Sequence, residues 1–457
     1  MRHILLPNLI TPENYERNVL FELDQRGRIS SRKCDVDLDA LPTETTVLPE
    51  ASVALAGLVN AHSHAFQRLL RGPTQYRGPN EDSFWTWRKV MYAGLKQLSP
   101  EDLYIISKHI YLEMVASGTT HVGEFHYVHH QPNGAPYPDS IRTSKAMIAA
   151  AKDAGIKLTL LRTIYMRGDF DAEPEPQQRR FIDTNLNEVH QSLESLFALE
   201  EHHISVGLAP HSVRAVSPQD LRELKERYPK RPFHIHTSEQ PRENDGCHQY
   251  YGMSPVALLD ANGCLDPQTV LVHATHVSPA DIELIAKRKS QVCFCPSTEA
   301  DLGDGIGPAR EYLQAGVPLS LGTDGQTFSS ILEEARRLEM HERLRLQMRN
   351  ALPLQESKSS GSICLEIATS GGGRALGTVG QSLEVGQPLD FFTIDRNDPF
   401  IAGVTDHDLL NAILFSLPSS RILSTYVDGK MVFDHQNSQS LEASSRELQA
   451  LSSRLSF

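Results

Sequence analysis

Two histidines one residue apart, His62 and His64, could share a single divalent ion, because side chains at i and i+2 of an extended strand project to the same side. Alone the triplet is weak. With 20 histidines in 457 residues, roughly one such His-x-His arises by chance, and two histidines ending a strand is the plainer reading. Three other β-rich runs end in residues of the same kind. Phe233-His234-Ile235-His236-Thr237-Ser238-Glu239, Leu271-Val272-His273 and Leu321-Gly322-Thr323-Asp324 each finish on a metal-binding or proton-carrying side chain. His62, His64, His236 and Asp324 together make a zinc-type ligand set that leaves room for water.

Such a set needs a scaffold that brings distant strand ends to one place. The chain alternates β-rich runs with amphipathic helical stretches. Strands are expected at Val53–Ala61, Thr120–Phe125, Lys157–Ile164, Ser205–Pro210, Phe233–Thr237, Val270–Ala274, Gln291–Cys295 and Val317–Gly322. Helices are expected at Pro100–Ala116, Ile141–Ala154, Pro218–Tyr228 and Pro279–Lys289, with proline in the first turn and Gly118, Gly155 and Gly316 as stops. Eight alternations favour a (β/α)8 barrel over a doubly wound sheet, and a barrel gathers all eight C-terminal strand edges around one mouth. The ends differ: Val19–Leu23 precedes an Asp24–Gly27 turn, and Thr425–Phe433 is broken by Asp428-Gly429. Residues 1–52 and 384–457 therefore read as two parts of a small β-sandwich domain, with the barrel spanning 53–383.

Composition sets the company this chain keeps. Hydrophobic residues at 40 % and charged residues at 22 % are ordinary for a globular protein. A net charge of −13 argues against nucleic-acid or membrane-surface binding and means that an anionic substrate needs locally placed arginines. The start, MRHILLPNLITPENYE, lacks the apolar core and cleavage site of a signal peptide, and no apolar run reaches membrane-spanning length. Six scattered cysteines form no CxxC pair or disulfide framework, so a cytoplasmic location is expected.

The ligand pattern resembles the mononuclear deaminase branch of the amidohydrolase superfamily. The local stretches resemble one family in it, the formimidoylglutamate deiminases: His62-Ser63-His64-Ala65-Phe66-Gln67-Arg68, Ser83-Phe84-Trp85-Thr86-Trp87-Arg88, Glu124-Phe125-His126-Tyr127-Val128-His129-His130, Ala209-Pro210-His211-Ser212-Val213-Arg214, and Cys295 through Gly305. The resemblance runs over essentially the whole chain. It implies one Zn2+ per chain on His62, His64, His236 and Asp324, and hydrolysis of N-formimino-L-glutamate to N-formyl-L-glutamate and ammonia. Asp324, Glu239 and His273 match catalytic positions: Asp324 to accept the water proton, Glu239 to protonate the leaving ammonia, and His273 to orient water or stabilise charge. Gln67, Arg88, Tyr127, His211 and Arg214 match substrate contacts, the two arginines being forks suited to carboxylates. Taken singly, Glu239 reads as a surface carboxylate, His273 as a core histidine, and Gln67 and Tyr127 as loop residues. His121, His126, His129 and His130 suggest a second metal, but the resemblance makes them loop and supporting residues.

One departure stands out. After Asp324 the chain has Gly325-Gln326 where that family more often has Ser-His, so a hydrogen bond around the ion is lost or taken over by Gln326. The connection Ala65 to Ser99 reads as long and without a clear helix, and its Phe84–Trp87 aromatics suggest burial at a subunit contact. The plainer alternative is that these rings pack on their own barrel and Arg88 is a local ion-pair partner, but the resemblance implies a homodimer in which Arg88 of one chain reaches a substrate carboxylate in the other. A deaminase of purines or other cyclic amidines is the rival activity, and it would want a flatter, more aromatic mouth. A barrel that only binds is the rival without catalysis, and a turnover assay separates it.

Overall fold

Parallel strands follow one another around the central sheet in sequence order: Leu58–Ser63, Thr119–His126, Lys157–Ile164, Ile204–Pro210, Phe233–Thr237, Thr269–His273, Gln291–Phe294 and Leu319–Leu321, here barrel strands one to eight. The structure is a computed structural model describing residues 2–77, 83–378 and 381–455. Helices cover the outside, among them Pro100–Ala116, Arg142–Ala154, Pro218–Arg227 and Pro279–Arg288, within a residue or two of expectation. Ser-Pro pairs start many of them. Ser99, Ser217, Ser254 and Ser278 each accept a backbone N–H of the first turn while the proline that follows needs no acceptor. At the other end of Arg142–Ala154, Gly155 takes a left-handed φ of 73° that a side chain would resist.

The first expected strand, Val53–Ala61, is two strands belonging to two sheets. Ser52–Ala56 pairs with Arg2–Ile10 and Phe391–Asp395 in the terminal sheet, whereas Leu58–Ser63 opens the barrel. Both halves are fully buried, which is why the run looks continuous. Gly57 makes the crossing: a Cβ there would lie 2.4 Å from Thr120 Oγ1. The terminal segments form one mixed hydrogen-bonded sheet of eight strands with its own apolar core, including Phe21, Leu23 and Phe391. Thr425–Phe433 resolves into Ile422–Val427 and Lys430–Asp434 around the Asp428-Gly429 turn. The last helix, Gln439–Arg454, packs on Pro100–Ala116 of the barrel.

The connection after strand one also differs from expectation. It contains a helix, Phe84–Leu95, whose first turn is closed by a Ser83–Thr86 capping box. Residues 78–82 of the connection lie outside the described residues. Among the described residues no helix is long and apolar enough to cross a membrane.

Candidate metal centre and active site

His62, His64, His236 and Asp324 converge at the barrel mouth, each offering one ligand atom within 4.8 Å of the others. Asp324 Oδ1 lies 3.3 Å from His62 Nε2 and 3.1 Å from His64 Nε2, a spacing expected of donors that share one small ion. The backbone fixes which nitrogen faces inward. His64 Nδ1 donates to the Phe125 carbonyl (2.9 Å) and His236 Nδ1 to the His211 carbonyl (3.0 Å), leaving each Nε2 lone pair toward the cluster. His62 is fully buried, and among the described residues neither of its ring nitrogens is hydrogen-bonded. An imidazole left so in a folded interior is costly unless another group completes it, and a cation would. Burial pushes His62 down to about 3 and His236 well below the usual range, so both stay neutral, as ligands must be. The donor set fits a zinc-like ion.

The proton-carrying groups stand beside it. His273 Nε2 is 3.6 Å from both Glu239 Oε1 and Asp324 Oδ2, and its Nδ1 is 3.2 Å from Glu299 Oε1. Burial alone would lower His273, but the carboxylates of Glu239, Glu299 and Asp324 outweigh it and hold the ring well above the ordinary histidine range. Burial raises Glu239 to about 7, aided by the Asp324 charge and opposed by His273 and Arg214. A carboxyl balanced there can both give and take a proton near neutrality. Burial pushes the nearby Cys295 thiol up, which leaves it protonated and a poor ligand.

Above these groups a pocket is lined by every expected substrate contact: Gln67, Arg88, Tyr127, His211 and Arg214. Arg88 lies on the Phe84–Leu95 helix and lines this pocket in the chain described. Phe84 and Trp87 line the same pocket, and Arg242 stacks 4.3 Å over Trp85. Arg88 Nε donates to Tyr92 Oη at 2.6 Å and an Nη to Tyr165 Oη at 3.1 Å. Among the described residues no carboxylate forms an ion pair with it. Arg214 is different, lying 3.5 Å from the buried Glu243, whose other oxygen accepts the Glu239 N–H.

The four extra histidines are all accounted for elsewhere. His121 and His126 bond Thr159 and Thr143 hydroxyls, while His129 and His130 bond the carbonyls of Thr163 and Ile182. Sequence reading missed Tyr92, Tyr165, Phe181, Glu243 and Glu299. Of these, Glu299 lay in the noted stretch Cys295 to Gly305 and Tyr92 in the noted connection Ala65 to Ser99.

The profile of the amidohydrolase family matches residues 53–432. A formimidoylglutamate deiminase of Pseudomonas aeruginosa is 38 % identical over 436 residues, covering 94 % of each chain. An 8-oxoguanine deaminase of the same organism is 29 % identical over 405 residues, 86 % of this chain and 83 % of that one. Among solved structures, an amidohydrolase from Brucella melitensis superposes with a TM-score of 0.90 at 31 % identity over the whole of both chains. A zinc-bound adenosine deaminase from Xanthomonas campestris gives 0.82 at 21 % identity over 99 % and 98 %, a likeness of fold.

Proposed function

This chain belongs to the amidohydrolase family and, within it, to the formimidoylglutamate deiminases, and we propose on that premise that it converts N-formimino-L-glutamate to N-formyl-L-glutamate and ammonia with one zinc ion per chain. The observation that carries the reading is Arg88: a guanidinium lining the pocket beside the metal-type cluster, hydrogen-bonded to the Tyr92 and Tyr165 hydroxyls and stacked near Trp85, with no ion pair among the described residues, wants an anion from outside the chain. With Arg214 it offers two forks, which suits a substrate with two carboxylates and a small reacting head. A purine has none.

His62, His64, His236 and Asp324 would hold the ion, which supplies Lewis acidity that makes water nucleophilic near neutral pH. Arg88 and Arg214 fix the carboxylates so that the formimino carbon faces Asp324, Glu239 and His273. Water adds to the carbon of the protonated formimino group and gives one proton to Asp324. Glu239 protonates the terminal nitrogen, and as that bond breaks the remaining hydroxyl proton returns to Glu239, leaving the formyl C=O and ammonia. His273, kept protonated by Glu239, Glu299 and Asp324, donates toward the charge that develops on oxygen.

Ammonia release measured with N-formimino-L-glutamate, N-formimino-L-aspartate and guanine tests the reading. The glutamate compound should be turned over fastest, the aspartate compound slowly, and guanine not at all. Guanine turnover at a comparable rate would transfer the site to cyclic amidines.

A further inference from the structure

Barrel strands one to eight are joined in series by parallel ladders, but among the described residues strand eight meets strand one through an isolated Ser63–Asp324 bridge. Main-chain bonds at this seam are few: Thr323 N and Asp324 N both donate to the His62 carbonyl at 3.0 Å, and His64 N donates to the Asp324 carbonyl at 3.1 Å. Three of the four metal-type side chains come from the two sides of this seam. Their spacing therefore depends on whatever else holds it.

What holds it is a buried chain of side chains with one direction of donation. Asn60 Nδ2 donates to Thr323 Oγ1 (2.7 Å), Thr323 Oγ1 to Gln326 Oε1 (3.1 Å), Gln326 Nε2 to Ser63 Oγ (2.8 Å), and Ser63 Oγ to Glu124 Oε2 (2.8 Å). Glu124 also accepts the Ala65 N–H at 2.8 Å, so it grips the chain on both sides of His64. Thr323 directly precedes Asp324. Gln326 is the central link: it is fully buried, takes a left-handed φ of 62°, and its carbonyl is held by Arg71. Only a side chain with an acceptor and a donor at one end continues the sequence, which is what an amide provides. Buried, aligned bonds of this kind reinforce one another, and a missing link leaves unpaired polar atoms.

We propose that Gln326 is a positioning residue for the metal centre, setting Asp324 against His62 and His64 across the barrel seam. The inference rests on the reading that those ligands hold a metal. It also assigns a use to the Gln that follows the ligand aspartate, one that the residue type alone does not disclose.

The test is zinc affinity of the full-length chain, stripped of metal and titrated with Zn2+ against a chromophoric chelator. Gln326→Met should weaken zinc binding about 10–100-fold, the usual cost of losing a partner that orients a ligand. Gln326→Glu should cost at least as much, since it removes the donor to Ser63. Thr323→Val, nearly isosteric, should show the same direction and carries the test by itself if Gln326→Met does not fold. The double variant should be no weaker than the worse single, because both cut one chain. Folded variants that bind zinc within about threefold of the parent, or single losses that multiply in the double, would overturn the proposal. A purely structural role would lower the melting temperature of the metal-free chain and leave zinc affinity alone. A parent chain that binds no zinc would remove the metal reading and this inference together, whereas unaffected variants of a zinc-binding parent remove only this inference.

Discussion

The two ends of the barrel use the same residue types to opposite ends. At the N-terminal edge, Lys157 pairs with Asp390 and Asp428 at 2.7 Å each, and Asp428 Oδ2 takes His202 and His203 at 2.8 and 2.5 Å. Gln381 and the Asp428 N–H complete Asp390. Two histidines and an aspartate there could hold a metal by proximity alone, but their carboxylate is already shared with an ammonium. At the mouth, among the described residues, His62 has no hydrogen-bonded ring nitrogen, Gln67 Oε1 and His273 Nε2 lack hydrogen-bond partners, and Arg88 bonds tyrosine hydroxyls and no carboxylate. Residue type does not separate a structural cluster from a working one. The state of its partners does, because a buried polar atom left incomplete is expensive and persists where something binds.

The contrast predicts where substitutions will tell. The largest effect is expected from His236→Ala, which should abolish metal retention and turnover, while His203→Ala should keep both; elemental analysis and an ammonia assay check the pair. Glu239→Gln should keep the metal yet slow turnover by about 10²–10⁴-fold, the usual loss on removing a general acid. A near-normal rate would move the proton transfer elsewhere.

At the opposite end the loss should fall on stability. Lys157→Met leaves two buried carboxylates facing each other, a change that costs about 3–5 kcal/mol when one partner of a buried pair is removed. Urea unfolding should show it, with kcat/KM nearly unchanged. If activity fell in step with stability, the two ends would not be separable as described.

Smaller effects sharpen the same line. Arg88→Ala removes charged hydrogen bonds worth about 1.5–3 kcal/mol, so kcat/KM should fall about 10–150-fold. Mixing Arg88→Ala with Glu239→Gln chains, with exchange followed by tagged subunits, should restore about a quarter of the sites if Arg88 is donated across a dimer and none if it serves its own pocket. Asp428 gives the least effect and a pH sign. Burial would raise it, but the His203 hydrogen bond and the Lys157 ammonium outweigh that and hold it below the usual carboxylate range. Its contribution is therefore complete above the unfolded value of about 3.9 and lost as pH falls toward the folded one. The stability gap between the parent and Asp428→Asn should hold from about pH 7 to 5 and narrow below about pH 4. A gap that widened in acid would reverse the assignment.

Much of the mouth was legible because a parallel barrel maps strand ends onto one ring, so His62, His64, His236, His273 and Asp324 could be placed from strand boundaries alone. The helix that carries Arg88 was not legible: Phe84–Leu95 begins with an aromatic run that has no clear helical signature, and the folded connection brings Phe84 and Trp87 to the pocket beside Arg88. Val53–Ala61 misled for a similar reason: two buried strands in different sheets share one composition, and the division lies in a single glycine's close approach to Thr120. Glu243, Glu299 and Tyr165 act by touching residues distant in sequence, which no local pattern records. Gln326 was visible as a departure, but its partners are Ser63 at the end of strand one, Thr323 just past strand eight and Arg71 of the following connection.

The most direct test of the contrast is anomalous scattering at the zinc edge from crystals of the metal-loaded chain. One strong peak per chain is expected among His62, His64, His236 and Asp324, with none at His202, His203 and Asp428. A peak of comparable height at that lower cluster, or none at the mouth, would contradict the account.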